Sequence, residues 1–495
     1  MSENKNHLNR VGFISPIFLV VGTLLIALAA SMCIPAIVDV ASGSTEVWVF
    51  LVSAGISVFV GGAVVLSNLA GRGAHLSLSI RQTFAMATLV WLIITVFGSL
   101  PFIFGELHLS FTDAFFETMS GITTTGSTVM TDLDHLPPGL LLWRSILQWL
   151  GGLGIIVMSI SILPMLRVGG MQMFKVEAFE TGDKALPRAA QISAGITAVF
   201  IALTALCAFA LWLAGMTGLE SVSHAMTTIA TGGYSTSDDS IGHFDDATIE
   251  FIITLGMIVG GIPFLLIFMS LRGRSRTLLK DSQVHWYLGI MLSSMLAVGF
   301  WLWFEEGMHP LTALRHSSFT VASVMTGTGY VSADYTAWGM FPVMVLFFLT
   351  FVGGCAGSTA CGIKVFRFQV LLATAQVELK KIIYPSGVFH PYYNGRKISD
   401  EVVTSVLGFF FIFIFCFVAL TMALDILGLD FITSISSAAT AMSNVGPGLG
   451  TIVGPSGTFE SLPDAAKWLL AFGMLVGRLE VYTVMVLFSR QFWKG

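Results

Sequence analysis

Four short stretches of this chain carry the residue types that can replace the water around a small cation. They read Gly121-Ile-Thr-Thr-Thr-Gly126-Ser127, Thr228-Ile-Ala-Thr-Gly232-Gly233, Met325-Thr-Gly-Thr-Gly329-Tyr330 and Met442-Ser-Asn-Val-Gly446-Pro447. Aligned on Gly126, Gly232, Gly329 and Gly446, they recur about every 100 residues, each between two apolar segments. An alkali ion sheds water only if oxygens take its place, and backbone carbonyls supply neutral ones. Turning successive carbonyls to one side needs backbone of positive φ, which glycine adopts cheaply. Threonine and serine add hydroxyl oxygens without a fixed charge that would trap the ion. The candidate ligands are Thr124, Thr125 and Gly126, then Ala230, Thr231 and Gly232, then Gly327, Thr328 and Gly329, and finally Asn444, Val445 and Gly446. Singly, any of these loops reads equally well as a helix-packing motif of a membrane bundle. Four in register, each after a short amphipathic segment, point to a shared pore.

The elements that must hold such loops follow from composition. Of 495 residues, 55% are hydrophobic and 11% charged, against roughly 25% charged for a soluble domain. Such a chain cannot coat a globule with polar surface, so an all-α polytopic membrane protein is expected. Crossing the hydrocarbon takes about 20 apolar residues. That length predicts spans at 11–38, 47–69, 84–104, 141–166, 192–213, 249–271, 287–304, 339–368 (interrupted), 402–424 and 468–488, ten in all. The first run is too long for a secretory leader, although Lys5 and Arg10 precede it. From the third span onward each unit reads span, short helix, glycine loop, span. The expected division is an N-terminal two-helix domain at 1–75 and pore units at 76–185, 186–280, 281–395 and 396–495.

With both termini in the cytoplasm, all but Arg144, Arg315, Lys467 and Arg478 of the 24 Lys and Arg residues fall inside. The positive-inside rule fixes that orientation. Most of the 29 carboxylates fall outside, including Asp238, Asp239, Asp245 and Asp246, where they would concentrate cations or simply solvate a loop. The five cysteines all lie in or beside apolar segments, and their spacing suggests neither disulfides nor zinc.

The second helix of each unit carries a glycine pair or its remnant: Gly151-Gly152, Gly260-Gly261, Gly353-Gly354 and Gly477-Arg478. In the third unit the pair opens a run too rich in glycine for a good helix, with Gly353, Gly354, Gly357, Ser358, Thr359, Gly362 and Lys364 in it. Just below the filter level, such a segment is a candidate gate, or else a simple glycine kink. Arg478 lies within an apolar span, where arginine is costly and faces a cavity or a bundle interior. It stands either as a barrier in the pore or in a structural salt bridge to another helix. Glu480, two residues on, would point elsewhere on a straight helix.

These loops, the Gly354–Lys364 run and Gly477-Arg478 together resemble the TrkH/KtrB/HKT superfamily of potassium transporters across essentially the whole chain. The two extra N-terminal spans make the chain most similar to the bacterial TrkH branch. The resemblance implies K+ at the filter residues, because sodium-selecting members often carry serine where this chain has Gly126. It implies uptake across the bacterial inner membrane, a homodimer with one pore per protomer, and a cytosolic TrkA-type ring that binds nucleotide and regulates opening. Two departures concern the fourth wall: Val445 replaces a hydroxyl residue, and Pro447 follows the glycine.

The chain itself has no Walker motif or strand–glycine–helix unit. No cofactor in this chain and no nucleic-acid partner are expected. The basic inner stretches at 272–280 and 379–397 would meet the regulatory ring or anionic lipid. An alternating-access transporter would repeat twice, often inverted, whereas these units repeat four times in one orientation. A membrane enzyme would need converging nucleophiles or paired acids, and none is evident. A voltage sensor would need arginines at every third position of a helix.

Overall fold

Among the described residues, seven helices are long and apolar enough to cross a bilayer: Pro16–Ser42, Val47–Asn68, Ile80–Phe104, Pro138–Ser159, Gln191–Leu213, Ser282–Phe304 and Asp400–Ile426. The structure is a computed structural model and describes residues 2–69, 79–161, 169–171 and 185–494. The inner end of the 141–166 span, and Arg72, Arg167, Lys175 and Lys184, lie outside the described residues. The chain is a multi-pass helical membrane protein.

The count of ten spans is not reached by length and composition. Two of the expected continuous spans are broken: Ala247–Gly260 meets Phe264–Lys280 at 94°, and Asp464–Arg478 meets Val481–Phe488 at 115°. Counting each bent pair once gives nine. In the third unit, the 13-residue helix Met340–Val352 is too short to span alone. The breaks have local causes. Pro263 ends the first helix by removing a backbone donor, and Glu480 at φ 67° ends the other. Both are hidden in the sequence because apolar residues continue beyond the break.

Four short helices dip between the spans, at Phe111–Ile122, Gly218–Ile229, Pro310–Thr326 and Phe431–Ser443. Their starts are written locally. The Ser110, Thr217 and Asp430 side chains accept from the backbone N–H three residues on, which satisfies an orphan donor of the first turn. The third helix instead opens with Pro310, whose missing N–H costs nothing there. Each helix stops one or two residues before the first positive-φ residue of its loop.

In the first, second and fourth units, a glycine of the pair lets the second helix approach the end of its own short helix. A methyl on Gly151 would overlap the Ile122 carbonyl, and one on Gly477 the Met442 carbonyl; at Gly260 the Ile229 oxygen would lie 3.3 Å away. The N-terminal helices cross at Gly22 and Gly61, where a methyl on either would come within 3 Å of the other's carbonyl oxygen. Asp39 ties this pair to the first unit by accepting from the Gly139 N–H at 2.7 Å. Between the helices Val365–Ile383 and Asp400–Ile426, Tyr392–Tyr393 and Arg396–Lys397 form a small hairpin through Asn394-Gly395, whose positive φ values suit a tight two-residue turn.

Candidate ion pathway

The backbone of all four loops follows one pattern. The N–H groups of Thr125, Gly232, Thr328 and Val445 each donate to the carbonyl five residues back, on Ser120, Thr227, Ser323 and Thr440. Positive φ flanks each of these residues: Thr124 and Gly126, Thr231 and Gly233, Gly327 and Gly329, Asn444 and Gly446. The structural register therefore corrects the sequence alignment in the second loop. Gly233, not Gly232, is equivalent to Gly126, and Ala230 rather than Ile229 is equivalent to Thr123. Two adjacent glycines left the sequence with no means to choose.

The four loops close into a ring. A methyl on Gly126 would overlap the Gly232 carbonyl oxygen, one on Gly233 that of Thr328, and one on Gly329 that of Val445. On Gly446 it would come within 2.9 Å of the Thr125 oxygen, which returns the circuit to the first loop. Each glycine thus makes room for the preceding carbonyl of its neighbour. The four short helices end immediately before the ring, so their partially negative C-terminal ends converge on it.

Side chains behind the ring differ from wall to wall. The Thr125 and Thr328 hydroxyls share hydrogen bonds of 2.7 Å with those of Thr123 and Thr326. Where the second wall has Gly232, the Gln148 amide fills the space, donating to the Gly232 oxygen at 2.6 Å and accepting from the Tyr234 N–H at 3.0 Å. Val445 keeps the fourth backbone in register despite lacking a hydroxyl. Ser127 of the first loop donates to the Gly446 oxygen at 2.9 Å. Pro447 packs toward Gly329 and lines the outer mouth.

A buried charged network braces the first and second walls. Glu117 of the first short helix pairs with Arg144 at 2.9 Å, both side chains being essentially inaccessible. Arg144 also donates to the Ser235 carbonyl and lies 4.1 Å from the centre of the Tyr234 ring, while the Tyr234 hydroxyl donates to the Glu117 carbonyl. From the sequence alone, Arg144 stands only as a charge outside the expected cytoplasmic set. The usable signal was an acid and an arginine both at membrane depth.

Above the ring opens a cavity of about 510 Å³, lined by all four loops and by Asp132, Asp238, Asp239 and Asp334. Burial raises the Asp238 carboxyl above its ordinary value, and its bond from the Leu133 N–H opposes this. Below the ring the remaining space is about 20 Å³, lined by Gly357, Ser358, Cys361, Gly362, Lys364, Asn444 and Arg478 among others.

Residues 353–364 fill that inner space. The segment is a true loop, not a kink: positive φ at Gly353, Gly357, Gly362 and Lys364 folds it back. The Ile363 and Lys364 N–H groups donate to Phe351 and Val352, which pins its neck. Its tip touches the ends of the second and third short helices, next to the ring. The Thr359 hydroxyl donates to the Ile229 and Gly260 oxygens at 3.0 Å, and the Cys361 N–H to Thr326 at 3.3 Å. Lys364 turns its ammonium onto the Ala360 carbonyl.

Arg478 meets this loop from the fourth unit. It donates to the Thr359 oxygen at 3.1 Å, to the Cys361 sulfur at 2.7 Å and to the Gly151 oxygen at 3.4 Å. Among the described residues no carboxylate pairs with it, so the salt-bridge alternative is not what holds it. Glu480 instead pairs with the buried Arg367 at 2.5 Å. Arg367 also donates to the Gly169 and Ile363 oxygens and stacks 3.7 Å from the Phe409 ring centre. The sequence offered Arg367 only as one more inner charge.

The profile of the family described as "TrkH: Cation transport protein" matches residues 53–494. The chain is 44% identical to the Trk system potassium uptake protein TrkI of Halomonas elongata, covering 97% of both chains. It is 35% identical to the Trk system potassium uptake protein TrkH of Escherichia coli K12, over 96% of this chain and 98% of that one. The crystal structure of the potassium transporter TrkH from Vibrio parahaemolyticus superposes with a TM-score of 0.89 at 33% identity, covering 97% of this chain and all of that one. The repeated ring and these whole-length similarities agree: the chain belongs to the TrkH family of cation transport proteins, and is a transporter rather than an enzyme.

Proposed function

We propose that this chain takes up potassium across the bacterial inner membrane through a channel-like pore, both termini being cytoplasmic. The observation that carries the proposal is the closed ring in which each positive-φ glycine accommodates its neighbour's carbonyl. The ring residues named from the sequence hold K+ by their backbone oxygens, with Gly233 added in the second wall. The acidic outer cavity raises the local cation concentration. The four-unit division with its N-terminal helix pair is part of the same reading. So are a homodimer with one pore per protomer and a TrkA-type cytosolic ring that carries the nucleotide.

The loop at 353–364 is the gate, and Arg478 is its latch and its charge. At an effective dielectric of about 20, two unit charges 6 Å apart repel by roughly 3 kcal/mol, enough to deter a cation leaving the filter. The loop's hydrogen bonds to the ends of the second and third short helices support its closed position. The test is flux of potassium, rubidium and sodium into proteoliposomes, with and without a TrkA-type ring. Potassium and rubidium are expected to pass, sodium poorly. Shortening the loop raises basal potassium flux and blunts regulation. Equal sodium and potassium flux would overturn the filter, and unchanged basal flux in a folded, shortened protein would overturn the gate.

A further inference from the structure

Asn444 differs from its three counterparts, Thr124, Thr231 and Gly327, in carrying an amide beneath the filter. It adopts φ 53°, a left-handed conformation that Asn tolerates better than most residues. Its Nδ2 donates at 2.9 Å to the Met474 carbonyl and at 2.9 Å to the Thr125 hydroxyl. A carbonyl can only accept, so the atom facing Met474 is the nitrogen, and Oδ1 must face the other way. There Oδ1 is buried and has no hydrogen-bond partner among the described residues. Gly477 makes room for it, since a methyl at that position would lie 2.9 Å from Oδ1.

Arg478 mirrors this state. Its terminal nitrogens are engaged by the gate loop and by Gly151, yet its Nε, equally buried, has no partner among the described residues. Asn444 and Arg478 line the same inner cavity of about 20 Å³. A single water needs roughly 10–15 Å³ of such space together with polar partners. One buried donor and one buried acceptor facing a space of that size satisfy the requirement, and leaving both unpaired would cost about 1–3 kcal/mol each.

We propose that Asn444 is the positioning residue that couples gate to filter, bonded to Thr125 on the filter side and to Arg478 through one water on the gate side. The inference rests on the gate reading of Arg478 given above. With the loop closed, Arg478 holds the amide, and the amide holds the Thr125 hydroxyl of the first wall. When Arg478 leaves with the loop, Oδ1 loses its counterpart and the fourth wall is free to rearrange.

The test is a double-mutant cycle on potassium flux per folded protein in proteoliposomes, using Asn444→Gly and Arg478→Ala. Glycine suits the backbone, because Gly327 already holds the matching position at φ 75°. Each single substitution is expected to raise basal flux, and the double variant to exceed neither, since both cut one linkage. Asn444→Ser removes Oδ1 without placing a charge beside the Met474 carbonyl and is likewise expected to raise flux, an effect that vanishes in the Arg478→Ala background; this arm stands should Asn444→Gly fail to fold. Multiplying effects in the first cycle, or an Asn444→Ser effect that persists without Arg478, overturns the coupling while leaving the gate intact. If Arg478→Ala alone does not raise flux, the gate reading falls and the coupling with it.

Discussion

On the proposed function, the outer and inner halves of the pore are built on opposite plans. Outside, four loops repeat one backbone pattern and open into about 510 Å³ of cavity; inside, four different solutions leave about 20 Å³. The first unit keeps its second helix straight through Gly151-Gly152. The second bends at Gly261 to Pro263, the third opens into the 353–364 loop, and the fourth bends after Arg478. Under the proposed function, symmetry suits a filter in which every wall offers the same ligand to the same ion. A gate needs one mover and fixed neighbours, which the broken repeat below the ring would supply.

If the outer half selects by backbone geometry, its glycines are the most sensitive positions, and the register decides which ones. Gly233→Ala would set a methyl against the Thr328 carbonyl at φ 82°, conformational strain alone costing about 1–2 kcal/mol. Potassium-over-sodium discrimination in proteoliposomes should fall by more than for Gly232→Ala. There the atoms nearest the methyl belong to the Gln148 side chain, which can shift. A greater loss at Gly232 would restore the register suggested by sequence alone.

The next effect is on stability. Glu117→Gln leaves Arg144 charged and buried without its acid, which should cost about 3 kcal/mol. Thermal unfolding in detergent should show a clear drop in Tm, and an unchanged Tm would mean that the Tyr234 and Ser235 contacts carry the arginine alone. A smaller loss is expected from Lys467→Met, which removes the 2.5 Å pair with Asp113 that joins the fourth unit to the first short helix. Asp113 is partly exposed, so about 1 kcal/mol is expected, and a loss as large as that of Glu117→Gln would show the outer half to be less evenly braced than drawn here.

The same contrast explains what the sequence could reveal. A repeated backbone demand leaves a repeated residue pattern, so the four loops, the short helices and the glycine pairs were legible. So was the one loop whose glycine content excludes a helix. Features set by a single distant partner were not. Gln148 fills the space at Gly232, yet nothing in either local sequence announces their contact. Apolar residues run on past Pro263 and Glu480, which masks the bends. Arg367 resembled an ordinary inner charge until its helix was placed against Glu480 and Phe409. Val445 and Pro447 looked like defects of the fourth wall, but a backbone ligand needs no particular side chain at Val445.

The most direct test of this division of labour reads two quantities on two variants: the potassium-to-sodium permeability ratio, and potassium flux per folded protein. Gly126→Ser, at φ 90° against the Gly232 carbonyl, should lower the ratio by about tenfold, equivalent to roughly 1.4 kcal/mol. Arg478→Ala should raise the flux and leave the ratio close to that of the parent. The reverse outcome, an unchanged ratio for Gly126→Ser with a collapsed ratio for Arg478→Ala, would contradict the assignment of selection to the outer half and gating to the inner.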